Sequence, residues 1–254
     1  MPEFATLTTE GSVATLTFNR PDAHNALSIA MLADAHACMD EIESLAQKDN
    51  APTVLVVTGA GRSFCAGMDL KEVIIEDDPT LPVQLLESLA RLTHRIRLLP
   101  MVVVGRVNGA AIGGGCGMVT VCDLAITHED AKLGFPEVDL GLCPAVVAPW
   151  LVRKIGPGKA RQVLLSGGLM SGARAHELGI VTGVVDSRDE LDAAVQKLTE
   201  TLATGGREAL GATKKLLNTL DGSNELDILL EAARLSASVL ATEDAQNRLK
   251  ARRK

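Results

Sequence analysis

Tyrosine is absent from this chain, tryptophan occurs once and phenylalanine four times, so aromatic side chains make up only 2% of its 254 residues. Single-stranded nucleic acid is held by stacking bases on aromatic faces, and this composition offers no such platform. Positive charge is not in excess either. The chain has 25 Lys and Arg against 32 Asp and Glu, a formal net charge of −7, which gives no general attraction to polyanions or anionic lipid. No apolar run reaches the ~18 residues of a membrane span, and the N-terminus lacks the basic flank and apolar stretch of a signal peptide. The expectation is a soluble, cytoplasmic protein with no nucleic acid or membrane partner. Cysteine is sparse and odd in number. Cys38, Cys65, Cys116, Cys122 and Cys143 form no C-x-x-C pair, which suits reduced core thiols better than disulfides or zinc. His36, His94, His128 and His176 lack metal-ligand spacing, so no metal is expected.

What is present is a core-forming composition, 46% hydrophobic and 22% charged, and a regular alternation of elements. Phe4 to Thr9 and Val13 to Phe18 read as a hairpin turning at Glu10-Gly11-Ser12. From Ser28, a plausible cap, apolar residues recur at Met31, Leu32, Ala35, Met39, Ile42 and Leu45, the spacing of a helix with one buried face. Thr53 to Thr58 reads as a strand buried on both faces, Val83 to Leu98 as an amphipathic helix and Met101 to Val107 as another buried strand. Beyond Gly141 the chain reads as helical. Ala145 to Ile155, Gly158 to Leu165 and Gly172 to Leu178 are short pieces, Gly183 to Asp186 is a brief extended link, and Arg188 to Ala203, Arg207 to Leu220 and Glu225 to Leu240 are longer helices. The basic end, Arg248 to Lys254, reads as a solvated tail.

Two glycine-bearing turns carry the chemistry. Gly59 to Leu70 follows the first buried strand, and Asn108 to Asp123, with Gly113, Gly114 and Gly115 in a row, follows the second. Glycine permits positive φ and close backbone approach, so such turns can aim bare N–H groups into one cavity. Two of them at one edge of a sheet make an oxyanion hole, in which each donor contributes roughly 10²–10³ in rate.

Four segments, R-P-D-A-H-N-A-L at Arg20 to Leu27, S-F-C-A-G-M-D-L at Ser63 to Leu70, N-G-A-A-I-G-G-G-C at Asn108 to Cys116 and F-P-E-V-D-L-G at Phe135 to Gly141, together resemble the crotonase, or enoyl-CoA hydratase/isomerase, superfamily. The resemblance runs on through Gly172 to Val181. It implies an α/β fold, a crotonase-like spiral of ββα units with a C-terminal all-helical subdomain. Residues 1–187 are then the spiral core and 188–254 a helical oligomerisation subdomain that packs in homotrimers or hexamers. Leu226, Leu229, Leu230, Ala233 and Val239 fit either that contact or an intrachain core. The resemblance also implies a coenzyme A thioester substrate and no cofactor, coenzyme A being part of the substrate. The N–H groups of Met68 and Gly114 fall at the positions that donate to the thioester oxygen, and Glu137 at the carboxylate that moves a proton beside it. Ala23, His24, Ala26, Ala66, Asp69 and Leu70 fall on segments that line the coenzyme A pocket, with Pro136 and Leu140 flanking the carboxylate.

One departure bears on the reaction. Hydratases of the two-carboxylate type carry a second glutamate where this chain has Gly117, so a single-carboxylate proton shuttle, as in the family's isomerases, competes with water addition. Ala145 stands where the thioester hydrolases of the family have an aspartate, which argues against hydrolysis. Asp123 and Asp139 are within reach of the motifs, yet carboxylates so placed more often cap helices or pair with arginine. The alternatives are a non-catalytic family member acting as a coenzyme A ester binder or scaffold, a thioester hydrolase, and a dinucleotide-binding module. The last lacks a clean G-x-G-x-x-G and its distal acid. The expected activity is enoyl-CoA hydration or isomerisation through an enolate, in fatty-acid or branched acyl-CoA metabolism.

Overall fold

The structure is a computed structural model and describes residues 3–74 and 80–252. β1 (Ala5–Glu10) and β2 (Val13–Phe18) form the expected hairpin. A single residue in extended pairing, Leu27, then precedes α1 (Ile29–Leu45), whose first turn is capped by the Ser28 hydroxyl accepting from the Met31 amide at 3.1 Å. The same sequence of events repeats. β3 (Val54–Gly59) is followed by bridges at Cys65 and Met68, then α2 (Leu70–Val73) and α3 (Leu81–Leu98). β4 (Val102–Val107) leads through β5 (Ala111–Ile112) into α4 (Gly114–Val121). β6 (Leu124–His128) leads through β7 (Lys132–Gly134) and a 3-10 turn at Val138–Leu140 into α5 (Ala148–Ser166). β8 (Leu169–Ser171), α6 (Gly172–Leu178), β9 (Gly183–Val185), α7 (Leu191–Ala203), α8 (Arg207–Leu220), α9 (Leu226–Leu240) and α10 (Glu243–Arg252) complete it.

The first strand of each unit joins a six-stranded sheet ordered β1-β2-β3-β4-β6-β9, parallel throughout except for the hairpin. The second, shorter piece joins a parallel stack running Leu27 to Met68, Cys65 to Ala111 and β5 to β7, with β8 closing it antiparallel. This is the spiral of ββα units that the resemblance implies, and it sets the loops after β3 and β4 side by side. Along β3 the side chains alternate as a two-residue period requires. Leu55 and Val57 enter the main core with α1 and α3, while Val54 and Val56 meet Leu191 and Val195 of α7 on the opposite face.

Several elements differ from expectation. β6, β7 and β8 are strands that the sequence did not signal. The longest has five residues, too few to establish an alternation, and their pairing comes from neighbours already in the sheet. The two helical pieces expected between Ala145 and Leu165 meet head to tail in α5 at Gly156, where φ is 79° before Pro157. The basic end is no free tail: it is the second half of α10, with Leu249 fully buried, and only its last two residues lie outside the described ones. Of the α9 residues named for that contact, Leu229, Leu230 and Ala233 take the intrachain role, sharing one core cluster with Leu85, Leu86 and Leu89 of α3 with Leu226 packed against it, while Val239 is half-buried outside it.

Candidate active site

Two buried asparagines fasten the loop after β3, Asn108 to the loop after β4 and Asn25 to the loop after β2. Asn108 donates from Nδ2 to the Gly59, Gly61 and Ser63 carbonyls at 2.9, 3.1 and 3.2 Å and accepts the Gly59 amide at 3.2 Å. Asn25, with φ 56°, donates to the Ala60 and Ser63 carbonyls, both at 2.9 Å, and accepts the Arg20 amide at 2.8 Å. Main-chain ladders then hold the ends in register. The Ile112 amide donates to the Cys65 carbonyl at 3.0 Å, the Leu27 amide to the Gly67 carbonyl at 2.7 Å, and the Asp69 amide to the Leu27 carbonyl at 2.9 Å.

Those last two bonds fix where Met68 points. In a parallel bridge the residue bracketed by its partner turns its own N–H to the opposite side, so the Met68 amide faces away from Leu27. Gly114 is the first residue of α4, where amides have no intrahelical acceptor and the helix dipole is positive. The two turns touch. Gly67 has φ 88°, and a Cβ on it would lie 3.7 Å from the Gly114 nitrogen and 2.6 Å from the Ile112 carbonyl oxygen. A Cβ on Gly115 would overlap the Cys65 carbonyl. Only glycine allows the two backbones to approach this closely.

Glu137 completes the arrangement. It begins the 3-10 turn after β7, and its carbonyl accepts the Leu140 and Leu142 amides at 3.0 and 2.8 Å. The residue is 8% exposed, and its side chain reaches Gly113, where a Cβ would stand 2.9 Å from Oε1. Oε2 is buried with no hydrogen-bond partner among the described residues. Desolvation raises the carboxyl from its ordinary 4.5 to about 7, opposed only by a main-chain hydrogen bond within the same residue. Met68, Gly114 and Glu137 line one small cavity of about 20 Å³, room for about one water-sized sphere, together with Leu86, Leu89, Cys143, Pro144, Val146, Val147 and Ser236. The space above Gly117 is filled by Val147, whose Cγ1 would overlap any Cβ placed there. Among the described residues, Glu137 is the one carboxylate in the cavity lining.

The expected coenzyme A segments also meet. The Ala66 amide donates to the His24 carbonyl at 3.0 Å, and Arg20 joins Asp69 at 3.1 Å to the Ala26 carbonyl at 2.7 Å. Ala23 and Ala26 are half-buried, His24 is exposed with Nδ1 3.2 Å from the Ser63 hydroxyl, and Leu70 opens α2. Pro136 and Leu140 are half-buried beside Glu137, outside the cavity lining. Asp123 is a structural acid, paired with Arg97 at 3.1 Å and Lys214 at 2.7 Å, and Asp139 accepts the Gly168 amide at 2.9 Å. Sequence reasoning missed Asn25, Asn108 and Ser236 as individual residues. The two asparagines stood inside the recognised motifs as polar residues in apolar surroundings, a signal for buried clamps, whereas nothing near Ser236 pointed to the cavity. A larger cavity of about 560 Å³, lined by Pro52, Met101, Lys214 and Asn218 among others, sits where β3 and β4 begin and includes neither glycine turn nor Glu137.

A spiral of strand, short strand and helix, with two glycine turns and a dry carboxyl on one cavity, defines a protein of the crotonase class. Among solved structures, an enoyl-CoA hydratase/isomerase from Xanthobacter autotrophicus Py2 superposes with a TM-score of 0.87 at 28% identity, covering 100% of this chain and 94% of that one. The chain belongs to the enoyl-CoA hydratase/isomerase family, whose model matches residues 8–254. A putative enoyl-CoA hydratase of Thermus thermophilus is 34% identical over 95% of this chain and 94% of its own length. A 1,2-epoxyphenylacetyl-CoA isomerase of Escherichia coli is 35% identical over 92% of this chain and 88% of its own.

Proposed function

We propose that the chain is an enzyme of acyl-CoA thioesters that moves a carbon–carbon double bond by proton transfer, with Glu137 as its single acid/base group. The Met68 and Gly114 amides receive the thioester oxygen. With a 3-enoyl thioester bound, the Glu137 carboxylate takes a proton from C2, the electrons pass to the thioester oxygen as a dienolate, and the two amides stabilise that charge. The same carboxyl, now protonated, returns the proton at C4 and releases the 2-enoyl thioester, so no net proton or water is used. A carboxyl lifted to about 7 suits both halves of the cycle, being a competent acceptor and a competent donor near neutral pH. No cofactor takes part, since the thioester itself supplies the electron sink.

The observation that supports this reading is that Glu137 is the one carboxylate lining the cavity among the described residues. Water addition by two carboxylates needs a second acid above Gly117, and Val147 occupies that space. Single-carboxylate hydration is the second reading, favoured by the hydratase names among the relatives. Incubation with 2-enoyl-CoA and 3-enoyl-CoA in heavy-oxygen water separates them. The expected result is interconversion of the two without oxygen uptake, and incorporation of heavy oxygen into a hydroxyacyl product assigns hydration instead. We further propose a homo-oligomer, a trimer or pair of trimers, joined through the outer face of α8, where Leu216, Leu217 and Leu220 are 58%, 54% and 74% exposed.

A further inference from the structure

One polar group in the catalytic cavity has no role in the cycle above, and it comes from the far end of the chain. Ser236 lies on α9, is 6% exposed, and lines the cavity with Glu137. Its hydroxyl donates to the Cys143 carbonyl at 2.8 Å and accepts the Ala145 amide at 3.1 Å. These two groups flank Pro144, which has no N–H of its own, so the hydroxyl is the staple across that bend. The bend is the start of a wall: Cys143, Pro144, Val146 and Val147 all line the cavity. From the other side the wall is tied to Glu137 through the Leu142 amide and into α5 through the Val147 and Ala148 amides, which donate to the Pro144 carbonyl at 3.3 and 3.0 Å. The helix that carries Ser236 is itself fixed by packing of Leu229, Leu230, Ala233 and Ala237 into the core shared with α3.

We infer that Ser236 is a positioning residue, through which the C-terminal helix α9 holds the Cys143–Val147 wall against Glu137 and sets the dryness and width of the catalytic cavity. The inference rests on the reading of Glu137 as acid/base. A cavity of about 20 Å³ holds about one water, so an acyl group enters only as the walls give way, and a wall freed from the Ser236 staple admits more water to the carboxyl or misplaces the acyl carbon beside it. Among the described residues, the titratable groups around Glu137 are the Cys116 and Cys143 thiols, which sense its charge, and, past the 3-10 turn, Asp139 on the surface with Asp244 and Arg248 of α10 packed on Gly141. None of these is a charged partner that sets the carboxyl's affinity for protons, which leaves the wall's exclusion of water to do so.

Protein labelled with carbon-13 at the glutamate carboxyl, titrated by NMR with Glu137→Gln to assign the signal, tests this without relying on turnover. In the unaltered chain Glu137 is expected to titrate near 7. In Ser236→Ala it is expected to titrate well toward the ordinary glutamate range, with kcat falling roughly ten- to hundredfold and KM changing less; Ser236→Thr, which keeps the hydroxyl, is expected to restore both. Ser236→Cys keeps the volume but not the strong donor, and it carries the same expectation should the alanine variant fold poorly. A Glu137 that still titrates near 7 in folded Ser236→Ala and Ser236→Cys overturns the inference and leaves the acid/base reading standing. A Glu137 that titrates near 4.5 in the unaltered chain overturns both.

Discussion

Glu137 ties function to a cost in stability. Its folded-state value of about 7 lies above the ordinary 4.5, so between those pH values the folded chain holds a proton that the unfolded chain has released. The stability that Glu137 contributes therefore falls as pH rises through that window and levels off above it, by roughly 3 kcal/mol in all. Glu137→Gln removes the titration while keeping the shape. The variant is expected to lose turnover by roughly 10²–10⁴, to bind thioester nearly as before by calorimetry, and to gain stability over the unaltered chain at pH 8 but not at pH 4 in denaturant titrations. Retained turnover removes the assigned base, and an equal gain at both pH values removes the linkage. From its position alone in F-P-E-V-D-L-G a glutamate after a turn is ordinarily solvated, and only the resemblance marked it as the acid/base; its burial comes from α9 and the wall after Gly141, which are distant in sequence.

At the scale of elements, the proposed oxyanion hole is two turns in contact, and the contact is made of missing side chains. Gly115→Ala sets a Cβ onto the Cys65 carbonyl, a rigid backbone neighbour that does not yield as a side chain tip does. The variant is expected to lose about 1–3 kcal/mol and nearly all turnover, whereas Gly158→Ala, with nothing within 4 Å of the added methyl, is expected to keep both. Thermal melts and initial rates of the two variants side by side make the comparison. This part of the molecule was legible in sequence. The hairpin, α1 with its Ser28 cap, β3, α3 and β4 each carry a periodic pattern strong enough to read locally, and the glycine runs mark where the chain must bend. The short strands were not legible, because β7 and β8 have three residues each and exist only as partners to strands laid down elsewhere.

Across the whole molecule, the helical region after residue 187 has two faces with different destinations. The inner faces pack on the spiral: Leu191 and Val195 of α7 cover Val54, Val56, Val102 and Val104, while α9 shares the main core. Buried Lys214 of α8 adds a polar anchor, donating to Asp123 at 2.7 Å and to the Met101 carbonyl at 2.9 Å. The outer face of α8 leaves three leucines in solvent. If that face joins subunits, Leu216→Glu with Leu220→Glu is expected to convert the oligomer to a monomer by light scattering without lowering the melting temperature of the fold by more than a few degrees; an unchanged mass assigns the interface elsewhere. From sequence the leucine-rich α9 was the more obvious candidate for that contact, since periodicity marks an apolar face without saying which surface covers it. No helix among the described residues is long and apolar enough to cross a membrane.

The account depends on two main-chain amides, those of Met68 and Gly114, meeting one thioester oxygen beside Glu137. Isotope-edited infrared spectroscopy of an acyl-CoA carrying carbon-13 at its thioester carbonyl measures that contact directly, using Glu137→Gln to prevent turnover. Two fixed donors polarise the carbonyl, so its stretch is expected to move to markedly lower frequency on binding, and to move less when Gly114→Ala disturbs the second turn. A bound thioester whose carbonyl absorbs where it does in water contradicts the account.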